Sequence, residues 1–176
     1  MVRSKPGWLG VVAVLSLIGP YATAAQVTIS YDRFERTTVA RLKGEDTKSQ
    51  PQFHVLTTFP GDTVPAAPEA VIWFSVTGRS WQFLECHRTR LLIDGVPLEV
   101  PNEAEHDGRV LSSGGVIEFI LVTVTWEHVL QLARGTTIEV KICNREFALS
   151  RVNMDRLRDF VARVTPGTVP NTIRSP

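Results

Sequence analysis

The sequence predicts an α+β domain, mainly antiparallel β and sandwich-like, with a short helix and a C-terminal amphipathic helix packed on the sheet. Three observations carry this expectation. Short β-branched and aromatic stretches recur between Gly, Pro and Asp-Gly turns; one of them, Val116 to Val124, is unusually long and apolar; and an apolar stripe at helical spacing closes the folded part.

The first residues stand outside the fold. Arg3 and Lys5 precede an apolar run from Trp8 to Ile18, then Gly19-Pro20 and Ala22-Thr23-Ala24, the pattern of an export signal cut after Ala24 or Ala25. The run is shorter than the roughly 20 apolar residues that span a bilayer, and no cysteine follows it to carry a lipid. Residues 1–24 are therefore expected to be a signal peptide, residues 26–164 one β-rich domain, and residues 165–176 a disordered tail. Pro166, Gly167, Pro170 and Pro176 predict the tail.

Val27 to Tyr31 and Thr37 to Leu42 have strand composition. Lys43 to Gln52 holds no large apolar residue and is expected as an exposed loop, with Phe53 to Phe59 a strand beyond it. Pro60-Gly61, Pro65 and Pro68 mark a second loop, since proline withholds the amide that a ladder needs. Glu69 to Val76 and Ser80 to Cys86 read as strands around Thr77-Gly78. Arg90 to Ile93, Asp94-Gly95 and Val96 to Val100 form the best hairpin signal, because Asp-Gly accepts the positive backbone angles of a tight turn; Pro97 puts its second arm at an edge. Asn102 to Gly108 is expected as a polar loop.

Gly114-Gly115 opens the apolar run, read as a central strand. Thr125 is placed to cap a helix from Trp126 to Arg134, with Gly135 expected in the left-handed conformation that ends it. Ile138, Val140 and Ile142 alternate with Glu139, Lys141 and Cys143, and Glu146 to Leu149 returns after a turn at Asn144-Arg145. Asn153 or Ser150 caps the last helix. Met154, Leu157, Phe160, Val161 and Val164 make its apolar stripe, and Asp159 and Arg163 pair four apart on its wet side.

Removing the signal leaves about 150 residues, enough for one core. The formal charge moves from +1 to −1 as Arg3 and Lys5 leave, and this balance speaks against nucleic acid or an anionic membrane as partner. Both cysteines, Cys86 and Cys143, lie in the exported part, where an oxidising compartment favours a disulfide between them.

Ligand-type groups are densest at Glu103, Glu105, His106 and Asp107, oxygen and nitrogen donors that a metal ion could use on a flexible loop. Their spacing matches no defined metal loop, and a solvated turn at Asp107-Gly108 is the favoured reading. Cys86-His87 with Cys143 would make a poor zinc site, because neighbours on a strand point to opposite faces. A cysteine nucleophile served by His54, His87 or His128 would be consumed by the disulfide, and no Gly-x-Ser-x-Gly elbow is present. Trp73, Trp81 and Trp126 with Phe74 and Phe83 are expected as core rather than as a ligand platform, and Arg88 and Arg90 as solvated.

The stretches Leu91 to Pro97, His106-Asp107-Gly108, Glu139 to Leu149 and Leu157 to Phe160 resemble a loosely related set of uncharacterised bacterial exported proteins, in which a DG hairpin, an HDG turn and a terminal strand-to-helix unit look similar. The resemblance spans most of the chain after Val71. It implies an exported β-rich domain and carries no established activity. The expectation is an extracytoplasmic chain, periplasmic or secreted: a binding or interaction module of the envelope, without cofactor, whose partner is a protein or small ligand. A small extracytoplasmic hydrolase or metal-dependent enzyme and a structural subunit of an envelope assembly are the alternatives.

Overall fold

The structure is a computed structural model that describes residues 26–47, 49–66, 69–101 and 103–169. The expected signal peptide and the end of the expected tail lie outside these residues.

Two antiparallel sheets form the domain. The first four strands, β1 (Val27–Asp32), β2 (Thr37–Lys43), β3 (Gln52–Pro60) and β4 (Ala70–Gly78), make a meander. The chain then leaves to build the hairpin of β5 (Thr89–Ile93) and β6 (Val96–Leu98). It returns as β7 (Glu105–Val110) and β8 (Val116–Val124), with β8 slotting beside β4. Helix α1 (Trp126–Arg134), strands β9 (Ile138–Ile142) and β10 (Arg145–Ala148) and helix α2 (Arg151–Arg163) complete the order. The large sheet runs β1-β2-β3-β4-β8-β7 and the small one β10-β9-β5-β6.

The core lies between the sheets. Leu42, Phe53, Val55, Ile72, Phe74, Ile120 and Val122 from the inward face of the large sheet meet Leu91, Ile138, Val140 and Ile142 of the small one. The ring of Phe147 in β10 stands edge-on to Phe74, centroids 5.7 Å apart. Helix α2 adds Met154, Leu157, Phe160 and Val164 to the same core, the stripe read from sequence, and Trp126 of α1 packs beside Phe160. Caps fall as expected at Thr125 and, of the two candidates for α2, at Ser150, whose hydroxyl accepts the Asn153 amide at 3.2 Å. Asn153 instead accepts the Glu45 amide at 2.7 Å, tying α2 to the end of β2.

Four local expectations are corrected. Ser80 to Cys86 is not a strand but a turning segment, because the amides of Gln82 and Phe83 are taken by the Glu118 side chain rather than by a neighbouring strand. Much of the polar stretch before Gly108 is strand: Glu105–Val110 pairs with Val116–Leu121 as an edge strand, a place where a charged outer face is favourable. Gly135 has φ −60, so its role is space rather than handedness; a Cβ there would meet Ile93 Cγ2 at 2.6 Å. The last hairpin turns at Cys143-Asn144, one residue early, with Cys143 at φ 56.

Asp94 and Gly95 take φ 51 and 80, the turn their sequence predicts. The Asp94 carboxylate also accepts the amides of Thr136 and Thr137 and both their hydroxyls. These bonds, the Thr136 hydroxyl foremost, hold its pKa below the usual carboxylate range. Beyond α2, Val64 and the segment after Val164 exchange amide bonds: Gly167 donates to Val64 at 2.9 Å and Val64 to Thr168 at 3.1 Å.

Cys86 and Cys143 form a disulfide, a bond that persists in oxidising compartments. No helix of the described residues is long and apolar enough to cross a membrane. The bond closes a separation of 57 residues, which in the chain-entropy model stabilises by about 4 kcal/mol. Urea unfolding of the Cys86→Ser/Cys143→Ser variant should show a loss of this size with little change in the slope against denaturant.

Candidate functional site

Strand β8 alternates strictly. Val116, Glu118, Ile120, Val122 and Val124 point into the core, while Ile117, Phe119 and Leu121 point to the opposite side. Two features follow from this parity: a carboxylate set into the inner face, and an apolar surface on the outer one.

Glu118 is 1 % exposed. Its Oε2 accepts the Gln82 amide at 2.7 Å, its Oε1 accepts the Phe83 amide at 2.9 Å, and His106 Nε2 lies 3.2 Å from Oε1. The imidazole of His87 stacks flat on that of His106, centroids 4.7 Å apart with 3° between planes, and Trp81 closes the side of His106 edge-on. Gly108, opposite Glu118 in register, leaves the room for Trp81; a Cβ there would meet the indole at 2.5 Å. The disulfide pins the far end of this segment to the last hairpin, and Arg145 donates to the Gln82 side chain at 2.8 Å and to the Ser49 carbonyl at 2.7 Å.

The ligand-type residues read from sequence do not converge. Glu105 and Asp107 lie on the outer face of β7, His106 on the inner face against Glu118, and Glu103 sits at an isolated bridge to Arg88. Among the described residues no group of three or more His, Cys, Asp and Glu is placed to hold a metal ion. Arg88 and Arg90 are exposed. Of the aromatic set, Phe74, Phe83 and Trp126 are core, whereas Trp81 is 36 % exposed and Trp73 stands on the outer face.

That outer face is the second feature. Leu56 of β3, Val71 and Trp73 of β4, and Phe119 and Leu121 of β8 are half-buried, yet none belongs to the core cluster or packs against it. One cross-strand row runs Glu105, Leu121, Trp73, His54, Lys43, with an acid on the edge strand β7 and a base on β2, the strand next to the other edge. Arg41 stands two residues along β2, and Asp107 two along β7. His54 stacks flat on Trp73, centroids 4.7 Å apart, with its Nε2 3.0 Å from Ser75 Oγ. Burial, with the charges of Lys43 and Arg41 beside it, pushes its pKa down to about 4.

Comparison with protein-family models, curated proteins and solved structures finds no match.

Sequence reasoning passed over Glu118, although it is the only charged residue in the run from Val116 to Val124 and shares the parity of its inward valines and isoleucine. It also passed over the outer face. Trp73 and His54 are adjacent only through the β3–β4 register, which composition does not reveal.

Two outcomes follow. Glu118→Ala leaves two amides and an imidazole unpaired in the core and should cost about 3–5 kcal/mol in denaturant unfolding, far more than Glu105→Ala on the exposed edge. For His54, the native state refuses a proton that the unfolded chain binds, so stability falls as pH drops from 6.5 towards 4. The loss is on the order of 2–3 kcal/mol. It should be largely absent in His54→Gln, measured by unfolding at pH 7 and at the acid end.

Proposed function

We propose that this chain is a non-catalytic interaction module that works outside the cytoplasm, in the periplasm or secreted, and that it recognises a protein partner through the outer face of the large sheet. The observation that carries the reading is the row of half-buried apolar side chains, Leu56, Val71, Trp73, Phe119 and Leu121, which serve no part of the core. A sheet face left to solvent ordinarily carries polar side chains, and a contiguous apolar patch with a charged rim is the composition of a contact surface. The patch spans three strands, β3, β4 and β8, an extent that suits a macromolecule better than a small ligand.

The extracytoplasmic setting is supported by the signal-like N-terminus, read from sequence, and by the disulfide. An enzyme built on the acidic stretch would need its donors to share a face, and in β7 they divide between two.

A photo-reactive phenylalanine analogue at Phe119 tests the reading, with a control at Glu139 on the exposed side of the small sheet. Irradiation of the chain in its native cells should yield an intermolecular adduct from position 119 and none from 139. Equal or absent cross-linking at both positions would overturn it.

A further inference from the structure

We propose, resting on the reading of the outer face as a contact surface, that the partner is a second copy of this chain. The two copies pack face to face about a two-fold axis parallel to β4, so that Lys43 of each copy meets Glu105 of the other.

The layout of charge carries this. In the strand order β1-β2-β3-β4-β8-β7, Lys43 on β2 lies two strands to one side of β4 and Glu105 on β7 two strands to the other, all in one cross-strand row. A two-fold axis along β4 turns the row over onto itself. Lys43 then lies opposite Glu105, His54 opposite Leu121, and Trp73 opposite Trp73. A two-fold axis across the strands would instead set Lys43 against Lys43 and Glu105 against Glu105. Like charges so placed are unfavourable, so the charge pattern selects one orientation.

A second pair of charges on the face follows the same pattern. Arg41, two residues along β2, comes level with the start of β7, where Glu103 is exposed. Asp107 and Arg109 stand farther along β7, beyond the end of β2 in register. The centre is apolar and the rim charged, the anatomy of a specific interface. Sheets pack face to face with strands within about 30° of each other, which this axis permits. Five strands at about 4.8 Å spacing give a contact on the order of 500 Å² per copy, and so about 1,000 Å² in total, the size of a small reversible interface.

The test is charge exchange in the full chain, followed by sedimentation velocity over a concentration series. The wild type should show a concentration-dependent dimer. Lys43→Glu and Glu105→Lys should each weaken self-association about tenfold or more. An equimolar mixture of the two variants should recover it, because each then offers the charges that the other lacks. Lys43→Glu/Glu105→Lys should self-associate like the wild type. Near-ultraviolet circular dichroism checks that each variant is folded.

A monomeric wild type, single variants that associate as well as it does, or folded variants that fail to pair when mixed would overturn the proposal. The Phe119 cross-link separates this from the reading beneath it. An adduct with a different protein would leave the contact surface standing and remove the second copy as its occupant. A link within the chain to residues 1–25 would overturn both.

Discussion

The carboxylate of Glu118 is the constraint on which the arrangement of the two sheets rests. An acid facing a hydrophobic core loses its hydration, at a cost of several kcal/mol that only well-placed hydrogen bonds offset. Two backbone amides, from Gln82 and Phe83, and the imidazole of His106 meet that demand. Meeting it draws the segment after β4 down over the inner face of the large sheet. Phe83 is carried into the core, Trp81 against Gly108, and Cys86 to the side of Cys143. The small sheet is thus joined to the large one through a polar anchor at one end and a covalent bond beside it, with Phe74 and Phe147 packed between.

The same strands that bury Glu118 also carry the outer face, and the two roles are separated by nothing more than odd and even positions. Ile120 and Phe74 serve the core; Leu121 and Trp73, one residue away, serve the surface. A strand apolar on both sides is what a fully sandwiched strand looks like, and that is why Val116 to Val124 reads as central. In the described residues it is sandwiched on one side only.

Most of the fold was legible because its signals are local. Strand composition marked β1 to β4 and a continuous apolar run marked β8; period two marked β9 and period 3.6 marked α2. Asp94-Gly95 marked a turn, and the cysteine count in a chain expected to be exported marked the disulfide. What failed was non-local. Ser80 to Cys86 has the composition of a strand, but its amides are claimed by an acid some thirty-five residues away in the chain. Glu105 to Val110 looks like a loop because charge is a loop signal, although at a sheet edge charge is compatible with pairing. The acidic stretch was conspicuous as composition and misleading as a site, since β parity divides it. The outer face depends on register across five strands, and no single stretch of sequence contains it.

The pairing of β4 with β8 has a consequence for how the chain acquires its structure. Ala70 faces Val124 and Gly78 faces Val116, so the two central strands enclose the whole excursion through β5, β6 and β7. The N-terminal meander can form from near neighbours, but the seam at the middle of the sheet requires closing a long loop, the kind of step that slows folding. A chain emerging from its N-terminus therefore presents β1 to β4 with one edge unpaired until Val124 is free. During that interval β4 has an unpaired edge and apolar residues on both of its faces, the features that favour mispairing in a partly formed sheet.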